Sequence, residues 1–254
     1  MQLTVSRPAA RRRPRRLAAA AALALTALAV GSAPAAQAGG HRPAPPAAAP
    51  TAEVVTTTER GGRTVALTFD DGPNGADTRD LLRVLRRNHV KATFCLWGDH
   101  VREDPDLVRR IAAEGHTLCN HTMHHDNMQD WDPERVRADL EATSALIRSV
   151  VPGARIPFFR APYGAWGQTP QVAAELGMQP LGWAFTVEDW VPPGADVLAQ
   201  RFRDQLTPGA VALMHDGGGD RSDTVEAVAT LVPELRRAGW RFTLPAGAPR
   251  GGRW

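Results

Sequence analysis

Two adjacent acids are the first chemistry the chain offers. Thr68-Phe69-Asp70-Asp71-Gly72-Pro73 places a pair of carboxylates at the end of a short apolar run and just before a turn. Successive side chains on a strand point to opposite sides, so at its tip one acid can ligate a cation while its neighbour stays free as a base. Asn120-His121-Thr122-Met123-His124-His125 supplies imidazoles, and the spacing of His121 and His125 puts two of them on one side of a helical turn. Two neutral imidazoles and one carboxylate suit Zn²⁺ or a similar divalent ion, with positions left open for water and substrate. His124 is expected to point away from that pair and takes no role, and no Glu stands beside His121 as a helical metalloprotease motif requires. Further on, Arg160-Ala161-Pro162-Tyr163, Asp189-Trp190 and Leu213-Met214-His215 bring a cation, a third acid and a further imidazole.

The elements that must position these groups follow from the punctuation. Strands are expected at Thr64 to Phe69, Lys91 to Leu96, His116 to Cys119, Ile156 to Phe159, Met178 to Phe185, Ala210 to Met214 and Arg241 to Leu244. Between them lie helices at Thr78 to Asn88, from Asp104-Pro105 to Gly115, from Asp132-Pro133, from Thr169-Pro170 to Gly177, at Asp196 to Leu206 and at Ser222 to Ala238. The alternation implies α/β architecture with a parallel sheet, and seven strands without a glycine-rich nucleotide loop favour a distorted seven-stranded (β/α) barrel, a single domain, over an open sheet. All the chemistry-bearing residues fall where strands end, which gathers them on one face.

Composition sorts the rest of the chain. Residues 1–38 carry a basic cluster from Arg11 to Arg16, an Ala/Leu run from Leu17 to Val30 and the small-x-small site Ala36-Gln37-Ala38, the pattern of a secretory signal peptide cut after Ala38. The apolar run falls short of the roughly 20 residues of a membrane-spanning helix, so no stable membrane anchor is expected after cleavage. That segment holds six arginines and no acid, so its removal takes the formal charge from +3 to −3, and nothing in the charge points to nucleic acid as a partner. Residues 39–60, with Pro43, Pro45, Pro46 and Pro50, read as a disordered Pro/Ala-rich linker, 61–246 as the globular domain and 247–254 as a flexible tail. Cys95 and Cys119 fall in neighbouring expected strands, where they form either a disulfide or two buried thiols.

Taken in order, Thr68-Phe69-Asp70-Asp71-Gly72-Pro73, His121-Thr122-x-x-His125, Arg160-Ala161-Pro162-Tyr163, Asp189-Trp190 and Leu213-x-His215 resemble the five motifs of the polysaccharide deacetylases, the NodB-homology domain of carbohydrate esterase family four. The resemblance spans about Arg63 to Leu244 and implies a distorted β/α barrel and metal-dependent removal of acetyl groups from sugars. It places the general base on Asp70 and the metal ligands on Asp71, His121 and His125. Arg160 then holds the base, the Tyr163 backbone N–H helps bind the oxyanion, and Asp189 orients His215, the proton donor. Trp190 and Leu213 wall the acetyl pocket. Physical logic runs beside that assignment: Arg160 keeps Asp70 ionised, and a carboxylate beside His215 favours imidazolium, which gives a base and an acid at one pH.

Two departures from the family pattern involve three positions. Thr186 stands where the fourth motif usually begins with Asp, which touches one wall of the substrate groove, and Cys95 and Cys119 replace residues that are usually aromatic and glycine. Trp97, Trp166 and Trp183 lie near strand ends, where packing or stacking on a sugar ring are both open. The expectation is a secreted monomer, extracellular or associated with the cell wall, that uses a divalent metal, Zn²⁺ before Co²⁺, on N-acetylglucosamine polymers of the peptidoglycan or chitin type. An O-acetyl xylan esterase and a noncatalytic glycan-binding relative are the rival readings.

Overall fold

The computed structural model describes residues 51–191 and 193–247. The expected signal peptide, the first part of the linker and nearly all of the C-terminal tail lie outside the described residues. No helix among the described residues is long and apolar enough to cross a membrane.

The central strand is β1 (Thr64–Asp70), buried along its whole length. It carries apolar or small residues on both faces because both faces are covered. Val65, Leu67 and Phe69 join the main hydrophobic cluster beneath the helices, while Ala66 joins a smaller cluster with Cys95, Cys119, Phe158, Leu181 and Val211. That smaller cluster fills the inside of the curled sheet. Parallel strands β2 (Thr93–Leu96), β3 (Thr117–Asn120), β4 (Phe158–Phe159) and β5 (Gln179–Pro180) follow on one side of β1, and β7 (Ala210–His215) and β6 (Phe185–Thr186) on the other. The two ends of this seven-stranded path, β5 and β6, are joined by only Leu181–Ala184, so the sheet has to curl on itself. The eighth strand, β8 (Arg241–Phe242), pairs with the start of β1 off that path. This is the expected α/β distorted barrel.

Helices α1 (Gly75–Arg87), α2 (Gly98–Glu103), α3 (Pro105–Ala113), α4 (Pro133–Val150), α5 (Thr169–Glu175), α6 (Ala195–Gln205) and α7 (Ser222–Arg237) make up the outer layer. The two Asp-Pro signals act as read: the Asp104 carboxylate accepts from the Leu107 N–H at 3.0 Å and that of Asp132 from the Arg135 N–H at 2.9 Å, each with proline in the first turn. Each capping bond satisfies a donor that the helix itself leaves open.

Three local expectations need correction. The run Met178 to Phe185 is two short strands at opposite ends of the sheet, because the chain between them crosses from one edge of the barrel to the other. Helix α2 was not expected; it begins directly after Trp97 with no side-chain cap to mark it. The linker expected to run free to residue 60 is docked from Thr51 onward. Its Val55 N–H donates to the Pro180 carbonyl, the Val55 carbonyl accepts from Gly182, and the Thr56 carbonyl accepts from Val211. These bonds run from β5 to the start of β7, satisfying backbone groups that the open sheet would leave unpaired.

Cys95 and Cys119 face each other in register on β2 and β3 and form a disulfide inside the barrel, fully buried. The bond closes a loop of 24 residues. Replacing both cysteines by alanine is expected to lower unfolding stability by about 3 kcal/mol through the freer unfolded chain. Chemical denaturation checks this, and an unchanged midpoint would show that the bond contributes nothing.

Candidate active site

Inward-facing residues of β1 climb from Ala66 through Thr68 to Asp70, which is 3% exposed at the strand's end. The guanidinium of Arg160, directly after β4, comes in from the side and is fully buried. Its Nη1 donates to Asp70 Oδ1 at 2.7 Å and to Thr68 Oγ1 at 2.9 Å, while Nε and Nη2 donate to the carbonyls of Leu181 and Gly182, each at 2.9 Å. A buried ion pair is tolerable only when its remaining donors are satisfied, and here they are. Asp70 Oδ1 is thereby held against a buried guanidinium, which fixes the side chain's orientation.

Asp71 diverges from Asp70 because its backbone is left-handed, with φ of 70°, beyond the alternation a plain strand tip provides. Asp71 Oδ1 lies 3.2 Å from His121 Nε2 and 3.2 Å from His125 Nε2, and this oxygen is buried without a hydrogen-bond partner. The His121 Nδ1 lies 2.8 Å from the Arg160 carbonyl, which can only accept, so Nδ1 carries the proton and Nε2 presents its lone pair. Three ligand atoms thus converge with spacings within 4.8 Å of one another. Burial pushes the His121 pKa down, yet the carboxylates of Asp70 and Asp71 outweigh it and raise it. Burial likewise pushes Asp71 up, while the two imidazoles hold it well below the usual carboxylate range. A pocket that draws positive charge this way, around an orphaned carboxylate oxygen, fits a divalent cation.

The pairing of His121 and His125 is not helical as expected. The segment after β3 is an irregular loop with left-handed backbone at Thr122 (φ 66°) and His125 (φ 56°). Asn120 Oδ1 accepts from the Thr122 N–H and Asp139 Oδ1 from the Met123 N–H, which pins the loop to α4 and to the strand end. His124 points out to solvent and pairs with Asp99, as its exclusion anticipates.

His215 ends β7 directly beside Asp70 in register. Asp189 accepts from both its Nδ1, at 2.7 Å, and its backbone N–H, at 2.8 Å, and Thr224 Oγ1 donates to the same carboxylate at 2.8 Å. Burial lowers the His215 pKa, but the bond to Asp189 and its charge, with Asp70 and Asp71 behind, raise it above its ordinary value. The glycines that follow His215 bring the loop close: a Cβ on Gly217 would lie 2.1 Å from the Asp71 carbonyl oxygen. The sequence Asp216-Gly217-Gly218-Gly219 is therefore a close approach between two site loops as well as a turn.

A cleft of about 460 Å³ opens over these groups, walled by Tyr163, Gly164, Trp183, Trp190 and Leu213. Tyr163 has φ of 60°, is 72% exposed, and its hydroxyl lies 3.0 Å from His125 Nδ1. The Trp190 ring stands edge-on to His215 at 5.5 Å. All ten sequence-derived site residues therefore lie at one end of the barrel. Of the three tryptophans that lie near expected strand ends, Trp183 lines the cleft, Trp97 stacks on His125, and Trp166 packs edge-on against Phe159. Thr186 is not among the lining residues; its hydroxyl accepts from the Glu188 N–H. Sequence reasoning missed Thr224, which looks like an ordinary residue in the first turn of α7, and His100, whose Nδ1 lies 2.6 Å from the Asp71 carbonyl oxygen.

Residues 57–181 match the family model described as polysaccharide deacetylase. A chitooligosaccharide deacetylase of Bradyrhizobium sp. (strain ANU 289) is 40% identical over 194 residues, covering 72% of this chain and 89% of that protein. A peptidoglycan-N-acetylglucosamine deacetylase of Bacillus cereus is 34% identical over 183 residues, 71% of this chain and 85% of its own length. Among solved structures, a peptidoglycan N-acetylglucosamine deacetylase bound to 4-naphthalen-1-yl-N-oxidanyl-benzamide superposes with a TM-score of 0.71 at 31% identity, over 76% of this chain and 91% of that one. With its motifs gathered at one end of the same fold, this chain is an enzyme of the polysaccharide deacetylase family.

Proposed function

We propose that the protein is a metal-dependent deacetylase that hydrolyses N-acetyl groups of N-acetylglucosamine polymers of the peptidoglycan or chitin type. The observation that carries this reading is the unpaired Asp71 Oδ1 between two imidazole nitrogens, facing an acid that is held apart by Arg160. The names of the relatives, which act on chitooligosaccharides and on peptidoglycan, favour an N-acetylated glycan as substrate.

Asp71, His121 and His125 would hold a divalent ion, Zn²⁺ by donor type with Co²⁺ as an alternative. When bound, it supplies a Lewis acid and lowers the pKa of water toward neutrality. The chain's own groups do the rest. Asp70 accepts a proton from the attacking water, and Arg160 holds it aimed. The Tyr163 N–H donates to the oxygen that gains charge as the carbonyl is attacked. His215, with Nδ1 donating to Asp189, presents Nε2 to the cleft and gives a proton to the departing amine, which leaves poorly without one. Trp190 and Leu213 enclose the methyl group. Secretion, with the mature chain starting at Gly39 and acting as a monomer at the cell wall or beyond it, completes the proposal; N-terminal sequencing of the exported form checks the cut.

Acetate release from N-acetylglucosamine oligomers, with none from acetylated xylan, is the expected result. Release from the xylan alone would transfer the reading to an O-acetyl esterase. Chelation is expected to abolish turnover and Zn²⁺ or Co²⁺ to restore it, and activity indifferent to chelators would remove the metal from the scheme.

A further inference from the structure

Arg221 lies just before α7, outside every motif the sequence offered, yet it is only 5% exposed. Among the described residues no carboxylate pairs with its guanidinium. All its hydrogen bonds go instead to backbone carbonyls: Nε to Gly217 at 2.7 Å, Nη2 to Gly218 at 2.9 Å, and Nη1 to Asp220 at 3.1 Å and Asp189 at 3.2 Å. Its own N–H donates to Asp77 Oδ2 at 3.0 Å, anchoring it to α1. Burying a charge without a counter-charge is costly, and an apolar residue would fill a plain loop core more cheaply.

The acceptors explain the arginine. Three belong to the loop that continues from His215, and the fourth is the main chain of Asp189. One planar fork therefore joins the two loops whose side chains meet in the Asp189–His215 bond. Thr224 and the His215 N–H hold the Asp189 carboxylate, and Arg221 holds its backbone. Lysine keeps the charge but has no rigid fork to span four carbonyls.

We propose that Arg221 is a positioning residue that sets the Asp189–His215 geometry, and through it the availability of the proton on His215. The inference builds on the role proposed above for His215. The charged and titratable groups around that imidazole are Asp189, Asp70, Asp71 and the buried Asp216 that follows it, and Arg221 acts on the first of them.

The test is Arg221→Lys in the full-length, zinc-loaded protein, with Arg221→Gln as a second variant and thermal unfolding to confirm that each is folded. Loosening the pair is expected to lower kcat on N-acetylglucosamine oligomers about 10- to 100-fold, since a displacement of about 1 Å can cost that much, with KM within about twofold. The alkaline limb of kcat should move to lower pH. Combined with Asp189→Asn, the change should add less than about threefold, because both act on one bond. Fully additive losses, or a limb that stays in place, would overturn the proposal, as would both variants failing to fold, which makes Arg221 structural alone. NMR titration of the His215 ring separates this inference from the function: a wild type that releases no acetate sinks the function, whereas an imidazole titration unmoved by Arg221→Lys sinks the positioning role.

Discussion

Asp70→Asn is expected to cut kcat for acetate release by about 10²- to 10⁴-fold while leaving metal affinity within a few-fold of wild type. The asparagine keeps the shape of the side chain and can still accept from Arg160 Nη1, but it cannot take a proton from water. Asp71→Asn is the contrasting control. Its Oδ1 is the oxygen between the two imidazoles, so weakened metal binding should accompany its loss of turnover. Calorimetric metal titration beside kcat separates the two acids, which sequence neighbours of one residue type cannot do by themselves. A second effect follows from burial. The fully buried Arg160 pairs with a single carboxylate, so neutralising Asp70 leaves a desolvated cation short of its counter-charge. The expected stability loss is about 3 kcal/mol, at the lower end for a broken buried pair because the amide oxygen still accepts. Assays therefore belong well below the variant's melting temperature. Turnover of Asp70→Asn within about tenfold of wild type would remove Asp70 as the base.

How much of this was legible in the sequence depended on whether the signal was local. The β1 run ending at Asp70 and the Asp-Pro starts of α3 and α4 are local, and all three stand as read. The gathering of Asp70, His121, Arg160, Asp189 and His215 was legible too, because strand ends of a parallel barrel share one face whatever the details. The loop after β3 was misjudged as helical: four-residue spacing suits a helix, but Asn120 and Asp139 side chains take its backbone donors and impose left-handed turns instead. The docking of Thr51–Arg60 was invisible for a similar reason. Its bonds include those to Pro180, Gly182, Gly209, Val211 and Leu244, far away in sequence, and a Pro/Ala-rich stretch carries no periodicity to announce them. Arg221 and Thr224 resemble the solvated start of an amphipathic helix, and only the fold reveals that they grip Asp189.

The second large effect concerns the acid. In Asp189→Asn an amide NH₂ can face His215 Nδ1, where the carboxylate now accepts, and that substitution disfavours a proton on Nδ1. The imidazolium loses the interaction that outweighs its burial, so its pKa falls from a raised value toward or below the ordinary 6.5 or so. Because His215 must be protonated to give up its proton, wild-type kcat should hold below that raised pKa and decline above it. In the variant the decline should begin at lower pH, with a loss of about 10²- to 10⁴-fold at pH 8 and a smaller one at pH 5. Stability carries the same sign. A histidine whose folded pKa is raised contributes stabilisation that is complete below its unfolded pKa of about 6.5 and is lost as pH rises through the folded value. The stability gap between wild type and Asp189→Asn should accordingly be widest in mild acid and narrow toward alkaline pH. A pH–kcat profile read beside denaturation at pH 5.5 and pH 8.5 tests both at once. If the alkaline limb stays in place in Asp189→Asn, proton donation to the amine belongs to some group other than His215.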